Sequence, residues 1–230
     1  MSQLRISEIF HSIQGEGILA GTPSTFIRIS GCNLRCIWCD TKYASWHPEG
    51  DFFSPGEISQ STKPEIHHVV ITGGEPMLFE PVAELTRLLK SQGKHITIET
   101  AGTVFQPVEC DLMSISPKLT NSSPGSELGE SWSERHEQTR WNPEVITKLV
   151  QTYDFQLKFV VSNSSDLDEI DAMLAELPLI SPEKILLMAE GTSSEVQHER
   201  QKSLVPICMD RGWRLSPRLH IDLFGNTKGT

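Results

Sequence analysis

Six short apolar runs rich in β-branched residues recur along this chain, and helical patterns separate most of them. They cover Ser24–Ser30, His67–Thr72, His95–Thr100, Asp111–Ser116, Gln156–Val161 and Lys184–Ala189, and each reads as a strand. Pro81–Gln92 carries apolar residues at helical spacing and stops at Gly93. Asn142–Thr152 opens Asn-Pro-Glu, a capping residue followed by proline at the first helical position. Ser165–Leu177 and Ser194–Arg211 are further helices, the second interrupted or bent near Pro206 and closed by Gly212. Such alternation implies parallel strands joined by right-handed crossovers. The predicted class is therefore α/β, as a sheet or partial barrel. A complete eight-stranded barrel typically needs about 250 residues, and the chain has 230, a length that predicts one domain spanning 1–230. Residues 120–140 break the pattern: polar, rich in Ser and Glu, they are expected to form a long polar loop insertion. The tail from Gly225 to Thr230 offers little to pack.

Composition narrows the function. No apolar run approaches the roughly 18 residues that span a bilayer. Met1–Arg5 lacks the basic-then-apolar pattern of a secretory signal, so the expected location is the cytoplasm. A net charge of −10 opposes nucleic acid as a partner, because phosphate binding needs a basic surface. The five cysteines are an odd number in a chain with no export signal, a poor disulfide framework. Three of them crowd into Cys32–Cys39, whereas Cys110 and Cys208 stand alone and are expected to be buried.

The crowded three follow a predicted strand with C-x3-C-x2-C spacing: Cys32, Cys36 and Cys39. Thiolates are soft ligands that suit zinc, copper(I) or iron–sulfur clusters. Three on one loop can hold three irons of a cubane and leave the fourth open to a substrate. The alternatives are three buried structural cysteines, or a structural zinc completed by His47, although zinc usually takes two close ligand pairs. The spacing favours the open cluster. The strand ends that follow carry polar motifs. Thr72-Gly73-Gly74-Glu75-Pro76 pairs glycines that let backbone approach a ligand. Glu99 and Ser116-Pro117-Lys118 end the next two strands. Taken alone, Glu75 and Glu99 would read as solvated carboxylates and Arg28 as a surface ion-pair partner.

Together these motifs resemble the radical S-adenosylmethionine superfamily. Ser12-Ile13-Gln14-Gly15-Glu16-Gly17, Gly21-Thr22-Pro23, Phe26-Ile27-Arg28, Trp38-Cys39-Asp40-Thr41, Ile98-Glu99-Thr100 and Arg218-Leu219-His220 resemble, within it, the 7-carboxy-7-deazaguanine synthase family. The resemblance implies a partial (β/α)6 barrel and a 4Fe–4S cluster on Cys32, Cys36 and Cys39. It places S-adenosylmethionine against Trp38, Cys39, Asp40, Gly74, Glu99, Ser116, Pro117, Lys118 and the strand end Leu187, Met188, Ala189 and Glu190. Ile13, Gln14, Gly15, Arg28 and Thr72 match the family's substrate contacts, and Thr41 its Mg2+ ligand. Arg28 can pair bidentately with a substrate carboxylate. The implied reaction is a lyase step of queuosine biosynthesis, in which 6-carboxy-5,6,7,8-tetrahydropterin becomes 7-carboxy-7-deazaguanine with loss of ammonia. No protein side chain is the implied catalyst, since the radical forms on the adenosyl group. A flavodoxin-like electron donor and a homodimer are the implied partners.

Overall fold

Side-chain parity along each strand decides which face of the sheet a residue takes. In β2 (Pro23–Ile29), β4 (His68–Gly73), β5 (His95–Thr100), β7 (Phe155–Val161) and β8 (Ile185–Ala189), one parity is apolar: Ile27, Ile71, Ile98, Phe159 and Leu187 are fully buried in the main core. The other parity carries Arg28, Thr72, Glu99, Lys158 and Met188, which line a cavity. The sheet thus has a helix-covered apolar face and a concave, largely polar face. Parallel strands buried on both faces normally read as continuous apolar runs. Here the polar parity marks an interior that is a site rather than a core.

The computed structural model describes residues 3–230. Besides the strands above, it contains β1 (Leu4–Ile13), β3 (Asp51–Phe53), β6 (Leu112–Ile115) and β9 (Arg214–Ser216). All nine form one sheet in the order β3-β1-β2-β4-β5-β6-β7-β8-β9. From β2 to β9 every neighbouring pair is parallel. β1 runs antiparallel to both β2 and β3. The two end strands do not pair, so the sheet stays open as a partial barrel. Helices α1 (Lys42–Ser45) and α2 (Pro55–Gln60) follow the cysteine loop. Helices α3 (Pro81–Ser91), α5 (Pro143–Thr152), α6 (Asp166–Ala175) and α7 (Ser194–Arg211) cross between strands and cover the apolar face.

The sequence reading located six of the seven strands of the parallel series, β2, β4, β5, β6, β7 and β8, but missed its last member β9 and the antiparallel β1 and β3. β1 alternates apolar and polar residues only loosely, and β3 and β9 are three residues each, too short to show a period. Two expectations are corrected. Residues 120–140 are not a plain loop, because Glu130–Thr139 forms α4. This helix buries only His136 and has no apolar stripe, which is why periodicity did not reveal it. Of the two readings of α7 at Pro206, interrupted or bent, the interruption is absent: the helix runs on through the proline. An interior proline removes one helical hydrogen bond, and Leu204 and Cys208, packed into the core, hold the helix on either side. Gly212 closes it in the left-handed conformation, as expected. The last helix, α8 (Leu219–Phe224), turns the chain back towards the mouth of the barrel.

Candidate active site

A cavity of about 380 Å³ opens at the C-terminal ends of the parallel strands, a size within the range of small-ligand sites. The segments flanking β1 and β2 supply its first wall. Gln14 is buried at the turn after β1, where its Nε2 donates to Glu99 Oε1 at 3.1 Å. Thr72 Oγ1 donates to the other oxygen, Glu99 Oε2, at 2.9 Å. One carboxylate at the end of β5 therefore ties together the ends of β1 and β4. Arg28 lines the cavity beside Phe10, and Glu8 accepts from its Nε at 2.5 Å.

The cysteine loop forms the second wall. Cys32, Cys36 and Cys39 all line the cavity and share a small apolar cluster with Leu34, Trp38 and Ala101. Burial pushes the Cys32 and Cys36 thiols up to about 12, and their neighbouring thiols add to the shift. Three thiolates crowded in so dry a wall need positive charge to stabilise them, and iron would provide it. The Lys118 ammonium draws Cys36 the other way. Cys39 Sγ lies 3.1 Å from Ser45 Oγ and 3.7 Å from Thr41 Oγ1. His47, which a zinc site would have to recruit, is exposed and lies outside the lining. The donor set fits an iron–sulfur cluster.

The glycine loop after β4 lies hard against the start of the cysteine loop. A Cβ on Gly74 would stand 2.0 Å from the carbonyl oxygen of Gly31, and one on Gly73 equally close to that of Ile29. Only glycine fits at these two positions. Glu75 is not a surface charge but is fully buried. It accepts from the N–H groups of Met77 and Ala101 at 3.0 and 2.7 Å and from Thr100 Oγ1 at 2.8 Å. Burial pushes its carboxyl up, and these donors oppose the shift. Lys118 Nζ donates back to Ser116 Oγ at 2.9 Å.

The structure brings most of the expected residues together. Ile13, Gln14, Arg28, Thr72, Trp38, Asp40, Thr41, Gly74 and Glu99 line the cavity, as do Ser116, Lys118, Met188, Ala189 and Glu190. Gly15, Pro117 and Leu187 do not. Leu187 has the apolar parity of β8 and its side chain faces the core. Gly15 instead packs against His220, whose ring would overlap any Cβ there.

Sequence reasoning missed a buried charge group. Glu16 pairs with Lys158 from β7 and accepts from Arg218 Nε at 2.9 Å, and Arg218 also pairs with Asp40. Arg218 Nη1 further donates to Gly191 O at 2.7 Å. Burial opposes ionisation of Glu16, but the two cations outweigh it and hold the carboxyl well below its usual range. The members lie far apart in the chain, so no spacing announced them. The tail packs little, as expected, but Asn226, Thr227, Lys228 and Thr230 line the cavity, and Lys228 pairs with Glu49 beside Tyr43.

Residues 26–117 match the Radical SAM superfamily. The 7-carboxy-7-deazaguanine synthase of Halobacterium salinarum is 41% identical over 99% of this chain and 93% of its own. That of Rhodopirellula baltica is 43% identical over 100% and 90%. The chain belongs to the 7-carboxy-7-deazaguanine synthase family. The crystal structure of QueE from Escherichia coli superposes on it with a TM-score of 0.68, at 28% identity and 95% coverage of both chains. Streptococcus suis SuiB bound to S-adenosylmethionine, 11% identical, shares the fold over 80% of this chain and 47% of its own, with a TM-score of 0.51. For a 7-carboxy-7-deazaguanine synthase family member, Lys158 and the tail are parts of the cavity wall that lie outside the short motifs.

Proposed function

We propose that this protein is a radical S-adenosylmethionine lyase that converts 6-carboxy-5,6,7,8-tetrahydropterin to 7-carboxy-7-deazaguanine with loss of ammonia, in queuosine biosynthesis. The observation that carries this reading is the hydrogen-bonded set Gln14–Glu99–Thr72, set in one cavity with the three-thiol loop. Cys32, Cys36 and Cys39 hold a 4Fe–4S cluster, with Lys118 offsetting part of its negative charge. When bound, the cluster and S-adenosylmethionine supply a 5′-deoxyadenosyl radical that takes a hydrogen atom from the substrate.

The chain's own residues bind and orient. Trp38, Cys39, Asp40, Gly74, Glu99, Ser116, Pro117, Lys118 and 187–190 contact S-adenosylmethionine, with Pro117 and Leu187 contributing backbone. Gly74 lets the backbone come close where any side chain would collide. Ile13, Gln14, Gly15, Arg28 and Thr72 receive the pterin. Glu8 occupies only Nε of Arg28, which suits the guanidinium to a substrate carboxylate. Thr41 offers a hard oxygen to Mg2+, which keeps several waters. The 230 residues act as one domain, a reading supported by the single sheet that joins strands from both ends of the chain. The protein works as a cytoplasmic homodimer fed by a flavodoxin-like donor, and no described helix is long and apolar enough to cross a membrane.

Anaerobic incubation of reconstituted protein with S-adenosylmethionine, reductant, Mg2+ and the pterin, with product mass recorded, tests the reading. The expected product is 7-carboxy-7-deazaguanine, lost in Cys36→Ala and reduced without Mg2+. Cleavage of S-adenosylmethionine that the pterin does not influence rejects the substrate assignment.

A further inference from the structure

Strand β1 carries an irregularity beside the cavity. It advances two residues, from Ile6 to Glu8, while β2 advances one, from Ile29 to Arg28. Such a bulge re-aims the side chains around it. Ile6 packs into the main core with Ile29, whereas Glu8 stands opposite Arg28, and Phe10 beyond it lines the cavity. The step leaves the Ser7 hydroxyl buried and without a partner among the described residues, an arrangement that packing alone would not favour. Its result is one carboxylate oxygen that holds two groups. Glu8 Oε1 accepts from Arg28 Nε at 2.5 Å and from the Tyr43 hydroxyl, on α1, at 2.7 Å. Arg28 Nη1 and Nη2 make no hydrogen bond among the described residues, although only 15% of the side chain is exposed. The Phe10 ring lies 5.8 Å from Arg28 Cζ and stacks in turn on Phe26 at 4.8 Å.

We propose that Glu8 and Tyr43 are positioning residues for substrate selection: they fix the plane of the Arg28 guanidinium so that its Nη1–Nη2 edge is presented to the carboxylate of a carboxylated pterin. This inference rests on the substrate reading proposed above. The guanidinium is a rigid planar fork, so a bond at Nε sets its orientation and leaves the far edge open. A carboxylate arriving there meets two parallel N–H donors, the geometry that makes arginine–carboxylate pairs specific. An arginine already held loses little rotamer freedom when its ligand binds. Glu8 is not on the cavity lining, so it acts through Arg28. Tyr43 acts through Glu8: its donated proton holds the carboxylate in place and draws on its negative charge, which leaves more of the guanidinium's charge for the substrate.

The test is equilibrium dialysis of two probes, 6-carboxypterin and unsubstituted pterin, against reconstituted anaerobic protein with S-adenosylmethionine and Mg2+. The ratio of their dissociation constants isolates recognition of the carboxylate from general damage to the cavity. It is measured for wild type, Glu8→Ala, Glu8→Gln, Arg28→Met and the double variant Glu8→Ala/Arg28→Met. E8A is expected to lower the wild-type preference for 6-carboxypterin about tenfold. E8Q, which keeps an acceptor for Nε, should return towards wild type, and E8A should add nothing once R28M is in place. A wild-type or larger preference in E8A overturns the positioning role, and so does a further loss in the double variant. If E8A does not fold, Tyr43→Phe decides. It keeps the ring, removes one bond from Glu8 and should lower the preference about threefold, and an unchanged preference overturns the proposal. A wild type that prefers neither pterin rejects the substrate reading itself, a different result from a selective wild type matched by E8A.

Discussion

Glu75 shows what a single residue contributes at this site. Its two carboxylate oxygens meet only donors: Thr100 and Ala101 tie the glycine loop to the end of β5, and Met77 N–H closes the local turn. Glu75→Gln turns one acceptor into a donor that faces a backbone N–H. A buried donor left without a partner costs about 1–3 kcal/mol, so chemical denaturation should show a loss of that size. Gly74→Ala acts through sterics. The opposing atom is a backbone carbonyl, which cannot swing aside as a side chain would. Forced overpacking costs about 1–3 kcal/mol. G74A is therefore expected to melt earlier and, because the displaced neighbour is the start of the cysteine loop, to retain less iron per chain on reconstitution. Wild-type iron content in G74A would refute this account of the double glycine.

Among the elements, α5 and α4 make a contrast. Helix α5 announces itself: Asn142 Oδ1 accepts from Val145 N–H at 3.2 Å, Pro143 opens the first turn, and Ile146 and Leu149 are fully buried. Asn142→Ala should cost about 1 kcal/mol, the usual loss of an N-cap, and leave the cavity unchanged. Equal unfolding midpoints for the variant and the parent protein would show that the cap contributes nothing. Helix α4 follows Gly129, which has no side chain to cap its first turn. Its stability comes from an ion pair in its own last turn and from contacts with the rest of the fold. Arg140, at its C-terminal end, donates to Glu137 and Glu169, both at 2.7 Å, and His136 is anchored inside the fold.

For the whole molecule, charge groups join the two ends of the chain across the barrel mouth. Arg218 holds the N-terminal turn through Glu16, the cysteine loop through Asp40 and the end of β8 through Gly191. Breaking a buried pair by removing one partner costs about 3–5 kcal/mol. Arg218→Ala is expected near the lower end, because Lys158 still faces Glu16, and thermal denaturation measures it. Stability should also follow pH in two stages. Burial pushes His68 and His136 down to about 4 from 6.5. The unfolded chain then binds protons that the folded one refuses, so stability is full above about 6.5 and is lost as pH falls towards 4. Glu16, whose carboxyl is depressed, adds a second loss below its ordinary value of 4.5. Equilibrium unfolding across pH 3 to 8 should show both stages, and His68→Gln should flatten the first. A wild-type profile that is level between pH 6.5 and 4 contradicts the buried neutral imidazoles.

The sequence by itself determined the parallel core of the fold and the identity of the cysteine loop. Strand and helix periods are local properties, and so is the C-x3-C-x2-C spacing, so both can be read without knowing what packs against what. The glycine loop and the polar strand ends were legible for the same reason, since each closes a local element. Only the tertiary structure could place Lys158 and Arg218 beside Glu16, seat the tail on the cavity wall, and fold 130–139 into a helix whose His136 meets the backbone of Arg35 in the cysteine loop. Each of these depends on groups far apart in the chain. Their desolvation and pairing energies exist only once the barrel has brought them together, and a one-dimensional pattern carries no record of them.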